Sequence, residues 1–208
     1  MTPKSVKTSA GTLTLLGGEL CLDFVNTLDW RRRVDPKEYL LNARDLIDWE
    51  RQMGVITKAE AGLLEHTAAA SPAKAASLLA RAIRLREAIY RIFSSISSGA
   101  TPGVSDIREF NELISSVMAG VGLVANKGLQ WGWAGERGSL QRLLWPIAWS
   151  AANLLASQPG RVGECEGEGC GWLFLDISKN GSRHWCSMKG CGNRAKARRH
   201  YGKVKAGG

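Results

Sequence analysis

Four cysteines near the C-terminal end constrain this chain more than anything else in it: Cys165-x4-Cys170, fifteen residues, then Cys186-x4-Cys191. Two equal pairs, a hairpin's length apart, have the spacing of a tetrahedral four-thiolate Zn²⁺ site. Both pairs end alike, in Gly169-Cys170-Gly171 and Gly190-Cys191-Gly192. A backbone folded tightly around a metal points N–H groups at the thiolates and needs φ > 0, which glycine adopts at little cost. Between the pairs, Trp172–Ile177 and Ser182–Trp185 flank Asn180-Gly181. Asn-Gly is a strong hairpin signal, so these residues predict a hairpin that returns Cys186 to Cys170.

Disulfides are the competing reading. Five cysteines leave one over in an all-disulfide scheme. The fifth, Cys21, lies in the apolar run Leu20–Phe24, where a cysteine packs as a small hydrophobe. The chain begins Met-Thr-Pro-Lys without a usable signal peptide, which implies a reducing cytoplasm and favours metal over disulfide. One structural Zn²⁺ is therefore the expected cofactor, held by Cys165, Cys170, Cys186 and Cys191. His184 and His200 are alternative ligands, but four thiolates already fill a tetrahedron.

Behind the last cysteine pair the chain turns basic. Arg194 to Lys205 holds six Lys/Arg and no Asp or Glu. The formal charge is +9, unevenly placed: residues 161–208 carry ten Lys/Arg against four Asp/Glu, and residues 1–160 carry eighteen against fifteen. Four thiolates and one Zn²⁺ carry about −2, which lowers but does not remove the surplus. As a helix from Asn193 to about Tyr201, this segment spreads charge over more than one stripe. That suits backbone phosphates better than a single base-reading edge. The candidate nucleic-acid contacts are Arg183, Lys189, Arg194, Lys196, Arg198, Arg199 and Lys203, with DNA favoured over RNA. A solvated basic tail is the plainer alternative, and Gly202 and Gly207-Gly208 fit it for the last residues.

The rest reads as α+β, mainly α. Leu20, Phe24 and Leu28 recur every four and favour a helix over 19–30. Asp35-Pro36-Lys37-Glu38 predicts a turn or helix start. Asn42 to Met53 predicts a helix ended by Gly54, and the capping box Thr57-x-x-Glu60 opens another to about Ala70. Ser71-Pro72 opens the longest helix, with the stripe Leu78, Ala82, Leu85, Ile89, Ile92 or Phe93, and Ile96, stopped by Gly99. Ser105 or Asp106 caps a helix to about Met118. Val121–Ala125 and Leu129–Trp133 form a hairpin around Asn126-Lys127-Gly128. Leu140, Leu144, Ile147, Ala151 and Leu155 mark a last core helix, and Gln158-Pro159-Gly160 is the linker. Two domains are expected, 1–158 helical and 161–208 the metal finger with its basic tail. Trp30, Trp49, Trp145 and Trp149 are read as core or core rim, Trp131 and Trp133 as one strand face. Trp172 and Trp185 are read as cover for the metal hairpin.

These residues carry a resemblance. Cys191-Gly192-Asn193-Arg194 reads CGNR, and Trp172 to Met188 is similar to the CGNR zinc-finger domain. Gly18-Glu-Leu-Cys-Leu-Asp-Phe-Val-Asn-Thr-Leu28 resembles the start of the ABATE domain that precedes this finger in bacterial proteins. The resemblance implies a stress-induced transcription regulator that binds nucleic acid.

Three function classes follow. The first is a nucleic-acid-binding regulator whose finger grips DNA while the helical domain senses a small-molecule effector or partner, with an RNA-binding version as runner-up. A ligand would then shift how the finger docks, through Trp172 or Trp185 and a hinge at Pro159-Gly160. The second is a protein-interaction module with purely structural zinc. The third, an enzyme, is disfavoured. Three histidines lie in no recognisable catalytic spacing, no phosphate loop is present, and a four-thiolate zinc has no open position. The one remaining polar group is Asp23, Asn26, Thr27, Asp29 and Arg31; of these Asp23, Asn26 and Arg31 are the candidate ligand pocket, with capping and ion pairing as the plainer role. No stretch approaches the ~20 apolar residues of a membrane span, and no heptad seam predicts an oligomer.

Overall fold

Long helices alternate along the chain with three short antiparallel ribbons. The helix α1 (Leu20–Val25) leads into β1 (Leu28–Asp29), which pairs with β2 (Lys37–Glu38). Four helices follow, α2 (Ala43–Gln52), α3 (Lys58–Ala70), α4 (Pro72–Ser97) and α5 (Val104–Met118). The ribbon β3 (Val121–Ala125) with β4 (Leu129–Trp133) precedes α6 (Trp145–Ser157). Then β5 (Val162–Glu164) pairs with β6 (Leu173–Leu175), and α7 (Asn193–Ala206) ends the order. The structure is a computed structural model and describes residues 9–125 and 128–206, the side chains of 203–206 excepted. The class is α+β, mainly helical.

Local chemistry sets the helix ends. The Asn42 side chain accepts from the Arg44 and Asp45 N–H groups while Asp45 accepts from the Asn42 N–H, a reciprocal cap on α2. Thr57 and Glu60 do the same for α3. Pro72 occupies the first turn of α4, where a missing N–H costs nothing. The stripe read from the sequence, Leu78, Ala82, Leu85, Ile89, Ile92 and Phe93, is buried and makes α4 the spine of the core.

Several elements depart from the sequence reading. Residues 19–30 are not one helix: α1 ends at Val25, and Leu28 enters a strand. The cause lies just past its end, where Thr27 Oγ1 donates to the Phe24 carbonyl and the Asn26 side chain is drawn to β6. Lys37-Glu38 starts no helix. Glu38 is held in β2 by Arg86, whose guanidinium bonds both carboxylate oxygens at 2.7 and 2.6 Å. The cap of α5 falls on Gly103, just ahead of Ser105. A 3-10 turn over Leu140–Leu143 precedes α6, which starts at Trp145. Val121–Ala125 and Leu129–Trp133 pair in register, while Asn126 and Lys127 of their loop lie outside the described residues. Trp30 is in no helix and has φ 57, a conformation its side chain disfavours.

The cysteine segment is built differently from the expected hairpin. Trp172–Ile177 does not pair with Ser182–Trp185. Its strand β6 pairs backward with β5, so the first cysteine pair sits in the connection between them. After Asn180-Gly181 the chain returns as irregular backbone, fixed by the Asp176 carboxylate, which accepts from the Ser178 and Arg183 N–H groups. Side-chain alternation gives β6 two buried faces. Leu173 and Leu175 join the helical core with Val162, whereas Trp172 and Phe174 pack with the cysteines. Asn26 acts as one more strand residue: its Nδ2 donates to the Leu173 carbonyl and its Oδ1 accepts from the Leu173 N–H, both at 2.9 Å.

Two predictions follow from this packing. Asn26→Ala strands a buried donor and acceptor on β6 and should cost about 2–4 kcal/mol in denaturant unfolding. Glu50, on α2, is fully buried and neither carboxylate oxygen has a hydrogen-bond partner. Burial holds its carboxyl well above the ordinary value of 4.5. The folded chain then keeps this proton while the unfolded chain releases it, so this residue's contribution to stability falls as pH rises past the unfolded value. Glu50→Gln removes that dependence. Its advantage over wild type should widen with rising pH above about pH 5, by at most about 1.4 kcal/mol per pH unit. Urea melts of both proteins at each pH measure it.

Candidate metal centre

The four Sγ atoms of Cys165, Cys170, Cys186 and Cys191 are buried and lie within 4.8 Å of one another. Cys170 to Cys186 is 3.8 Å and Cys186 to Cys191 is 3.7 Å. A disulfide needs about 2.05 Å, so these are separate thiols. A tetrahedron with Zn–S bonds of about 2.3 Å has sulfur–sulfur edges of about 3.8 Å. The group fits one structural zinc ion, with all four positions taken by protein.

The backbone is shaped to the cluster. Gly169 and Gly171 adopt φ 73 and 70 on either side of Cys170, as the first knuckle demands. The second knuckle differs from the first: its backbone winds through a helical turn, Met188–Gly192, directly into α7. The Gly167 N–H points at Cys165 Sγ from 3.4 Å. A Cβ on Gly167 would meet Cys191 Sγ at 2.7 Å and Cys165 Sγ at 3.3 Å. Hydrogen bonds within the cluster drive the thiols apart. Hydrogen bonding among them pulls the Cys165 thiol far down and pushes the Cys170 and Cys186 thiols well up, with burial adding to the rise. A divalent cation resolves that conflict by stabilising every thiolate at once. Cys21, by contrast, is an isolated core thiol pushed by burial to about 12.

The basic residues divide by what holds them. Arg183 does not face outward. Its guanidinium donates to the carbonyls of Trp185, Leu175, Leu16 and Cys186 and stacks 4.2 Å from the Phe174 ring centroid, so it ties the metal loop together. Arg194 reaches back to Cys191 Sγ at 2.9 Å and lies 5.0 Å from the Trp30 ring centroid. Arg198 pairs with Glu168. Arg199 lies 6.0 Å from the Trp185 ring centroid. At 100° per residue, Arg194, Arg198 and Arg199 span about 140° of α7 and look toward the finger, with Lys196 outside that arc. Lys189 is exposed beside the second knuckle, and Lys196 is exposed on α7. The Lys203 side chain lies outside the described residues. His184 bonds Glu166 at 2.8 Å.

The segment Trp30–Arg33, in which the sequence reading did not see a partner of the finger, lies against the knuckle. The backbone N–H groups of Arg31 and Arg32 donate to the Cys170 and Gly169 carbonyls. Arg33 packs its stem near Gly169 and stacks on Trp30, 3.6 Å from the ring centroid. Three consecutive arginines after a tryptophan were the available signal. Burial raises the Asp29 carboxyl, against the pull of Lys37, Arg194 and Arg33 nearby.

Asp23, Asn26 and Arg31 do not converge on a shared cavity. Asp23 Oδ1 accepts from the Leu16 and Gly17 N–H groups, with burial raising its carboxyl and these bonds lowering it. Asn26 pairs with Leu173 as described. Arg31 bonds Glu87 and the Val25 carbonyl under Tyr90. All three join the finger or its strap to the helices.

Gly167→Ala should weaken zinc retention about 10–100-fold against a chromogenic chelator. Gly160→Ala, where nothing lies within 4 Å of the added Cβ, should leave it unchanged.

Among the described residues no helix is long and apolar enough to cross a membrane. No curated protein is significantly similar to the chain. A CGNR zinc finger model matches residues 161–203, the segment that holds the four cysteines. The ABATE model, described as "Putative stress-induced transcription regulator", matches residues 18–158, more than half of the chain. The chain belongs to the ABATE family and carries a CGNR zinc finger behind the family's helical region.

Proposed function

We propose that the protein is a cytoplasmic, DNA-binding transcription regulator without catalytic activity. In this reading residues 161–208 form the DNA-gripping finger and residues 1–158 a sensing domain for a small-molecule effector or partner. The observation that carries it is the junction behind Cys191: α7, which holds the acid-free basic run, begins two residues after the last cysteine of the metal nest, so a bound metal would anchor the root of that helix. A helix so anchored offers cations to a phosphate backbone without ordering a free tail first.

Arg194, Lys196, Arg198, Arg199 and Lys203 on α7, with Lys189 before it, are the proposed phosphate contacts. Arg183 leaves the set, because four carbonyls already use its donors. Arg198 must exchange Glu168 for a phosphate, which lowers its net contribution. Asp23, Asn26 and Arg31 leave the proposed effector pocket for the same reason as Arg183.

Fluorescence anisotropy of the zinc-loaded protein against duplex DNA, single-stranded DNA and structured RNA tests the reading. Binding to duplex should weaken with salt at a log–log slope near −4.5 for about five phosphates, and chelation should abolish it. Lys189→Ala, Lys196→Ala and Arg199→Ala combined should make the slope about 2.7 shallower, with zinc content intact. Tighter binding to RNA would move the assignment to an RNA-binding protein. Absence of binding to all three at low salt would leave a protein-interaction module with structural zinc.

A further inference from the structure

The loop Trp30–Arg33, which belongs to the helical region and not to the finger, carries a feature that its packing does not require. Trp30 is the one non-glycine residue with positive φ among the described residues. Strain of this kind persists only where the surroundings enforce it. Here the Asp29 carboxylate accepts from the Trp30 N–H at 2.8 Å, and the next two N–H groups are locked on the Gly169 and Cys170 carbonyls. The indole is thereby held close to two cations, Arg33 at 3.6 Å and Arg194 at 5.0 Å from its centroid.

Face and edge separate the two roles of an arginine. Stacking uses the flat face of the guanidinium and leaves its N–H fork free for a bidentate oxyanion. Arg33 is exposed and, among the described residues, has no carboxylate within ion-pair distance. Arg32 beside it is tied to Glu164, and Arg194 gives one N–H to Cys191. Val34 next along is fully exposed, so the loop tip stands clear of the body. Lys37, also exposed, lies across from Asp29 in the β1–β2 ladder. Asp29 offsets one of the three cations around it.

We infer that Arg33, stacked on Trp30 beside Arg194, is a phosphodiester contact, so that the nucleic-acid surface is composite and takes one of its charges from the helical region. The inference rests on the nucleic-acid reading above. It makes the ABATE segment a direct part of the grip: the zinc knuckle positions the loop through two backbone hydrogen bonds, and the loop returns an arginine aimed by an aromatic ring.

The test uses the full zinc-loaded chain and duplex DNA, with RNA in parallel. Arg33→Gln keeps the stem against Gly169 and removes the charge. It should weaken binding about tenfold and make the salt slope shallower by about 0.9, with zinc content and thermal midpoint unchanged. Arg33→Lys should restore the slope. Wild-type affinity and slope in Arg33→Gln, while the α7 variants lose binding, would overturn this inference alone. A lysine variant as weak as glutamine would also overturn it, by assigning Arg33 a packing role. Wild type that binds no polymer would instead remove the reading on which it rests.

Discussion

The burial of β6 on both faces is the constraint on which the rest depends. Three residues, Leu173-Phe174-Leu175, must satisfy the helical core on one side and the cysteine nest on the other. A strand so enclosed has no water to satisfy its backbone, so every N–H and C=O needs a protein partner. β5 supplies one edge. The other is supplied piecemeal, by the Asn26 amide and the Gly17 carbonyl, which accepts from the Leu175 N–H at 2.7 Å. Asp23 fixes the Leu16-Gly17 strap that makes this possible. The polar residues of the first helix are thus explained by one strand more than a hundred residues away in sequence.

Distance in sequence hides the partners of Asn26 and Arg31 from a local reading. Capping and ion pairing were legible as the plainer role of Asp23, Asn26 and Arg31, but not that Asn26 would serve Leu173 and Arg31 would meet Glu87. Local signals were legible where local chemistry decides: the caps at Asn42 and Thr57, Pro72, the α4 stripe, the β3–β4 register. They failed where a distant group overrides them. Glu38 looked like the end of a helix cap and is a partner of the buried Arg86. Asn180-Gly181 looked like the tip of a hairpin. It is a turn, but β6 had already paired with β5, so the residues after it found no strand to join. The cysteine spacing carried enough to suggest four converging thiols, because it demands only that two knuckles meet; it could not say which strands bring them together.

Around the metal nest the arginines show that a count of basic residues overstates the available charge. An arginine has five N–H donors and two faces, and the two can be used separately. Arg183 has its donors used by carbonyls and its face used by Phe174, which leaves little for a ligand. Arg198 has its charge met by Glu168. Arg194 supports a thiolate, the kind of contact that orients a ligand and tempers its charge. Part of the C-terminal surplus of positive charge is therefore balanced against the finger's own acids and thiolates. The charge left over is carried by fewer residues, and their placement matters more than their number.

The same packing bears on how a signal could cross the molecule. A hinge at Pro159-Gly160 would not by itself free the finger. Pro159–Arg161 forms a 3-10 turn, and the finger is held beyond it by Glu164 on Tyr90 and Ser94, by Leu173 and Leu175 in the common core, and by Asn26. Releasing it means breaking these contacts together, which makes free swinging costly. The Trp30–Arg33 loop is a second connection. It is short, strained at one residue, and touches the knuckle through two backbone hydrogen bonds, while Arg31 roots it on Glu87 of α4. That path runs from Glu87 on α4 to the Cys170 carbonyl without passing through the linker. A signal passing between the helical region and the finger would have to cross this packed boundary, where Arg31 joins Glu87 of α4 to the Cys170 carbonyl within a single residue.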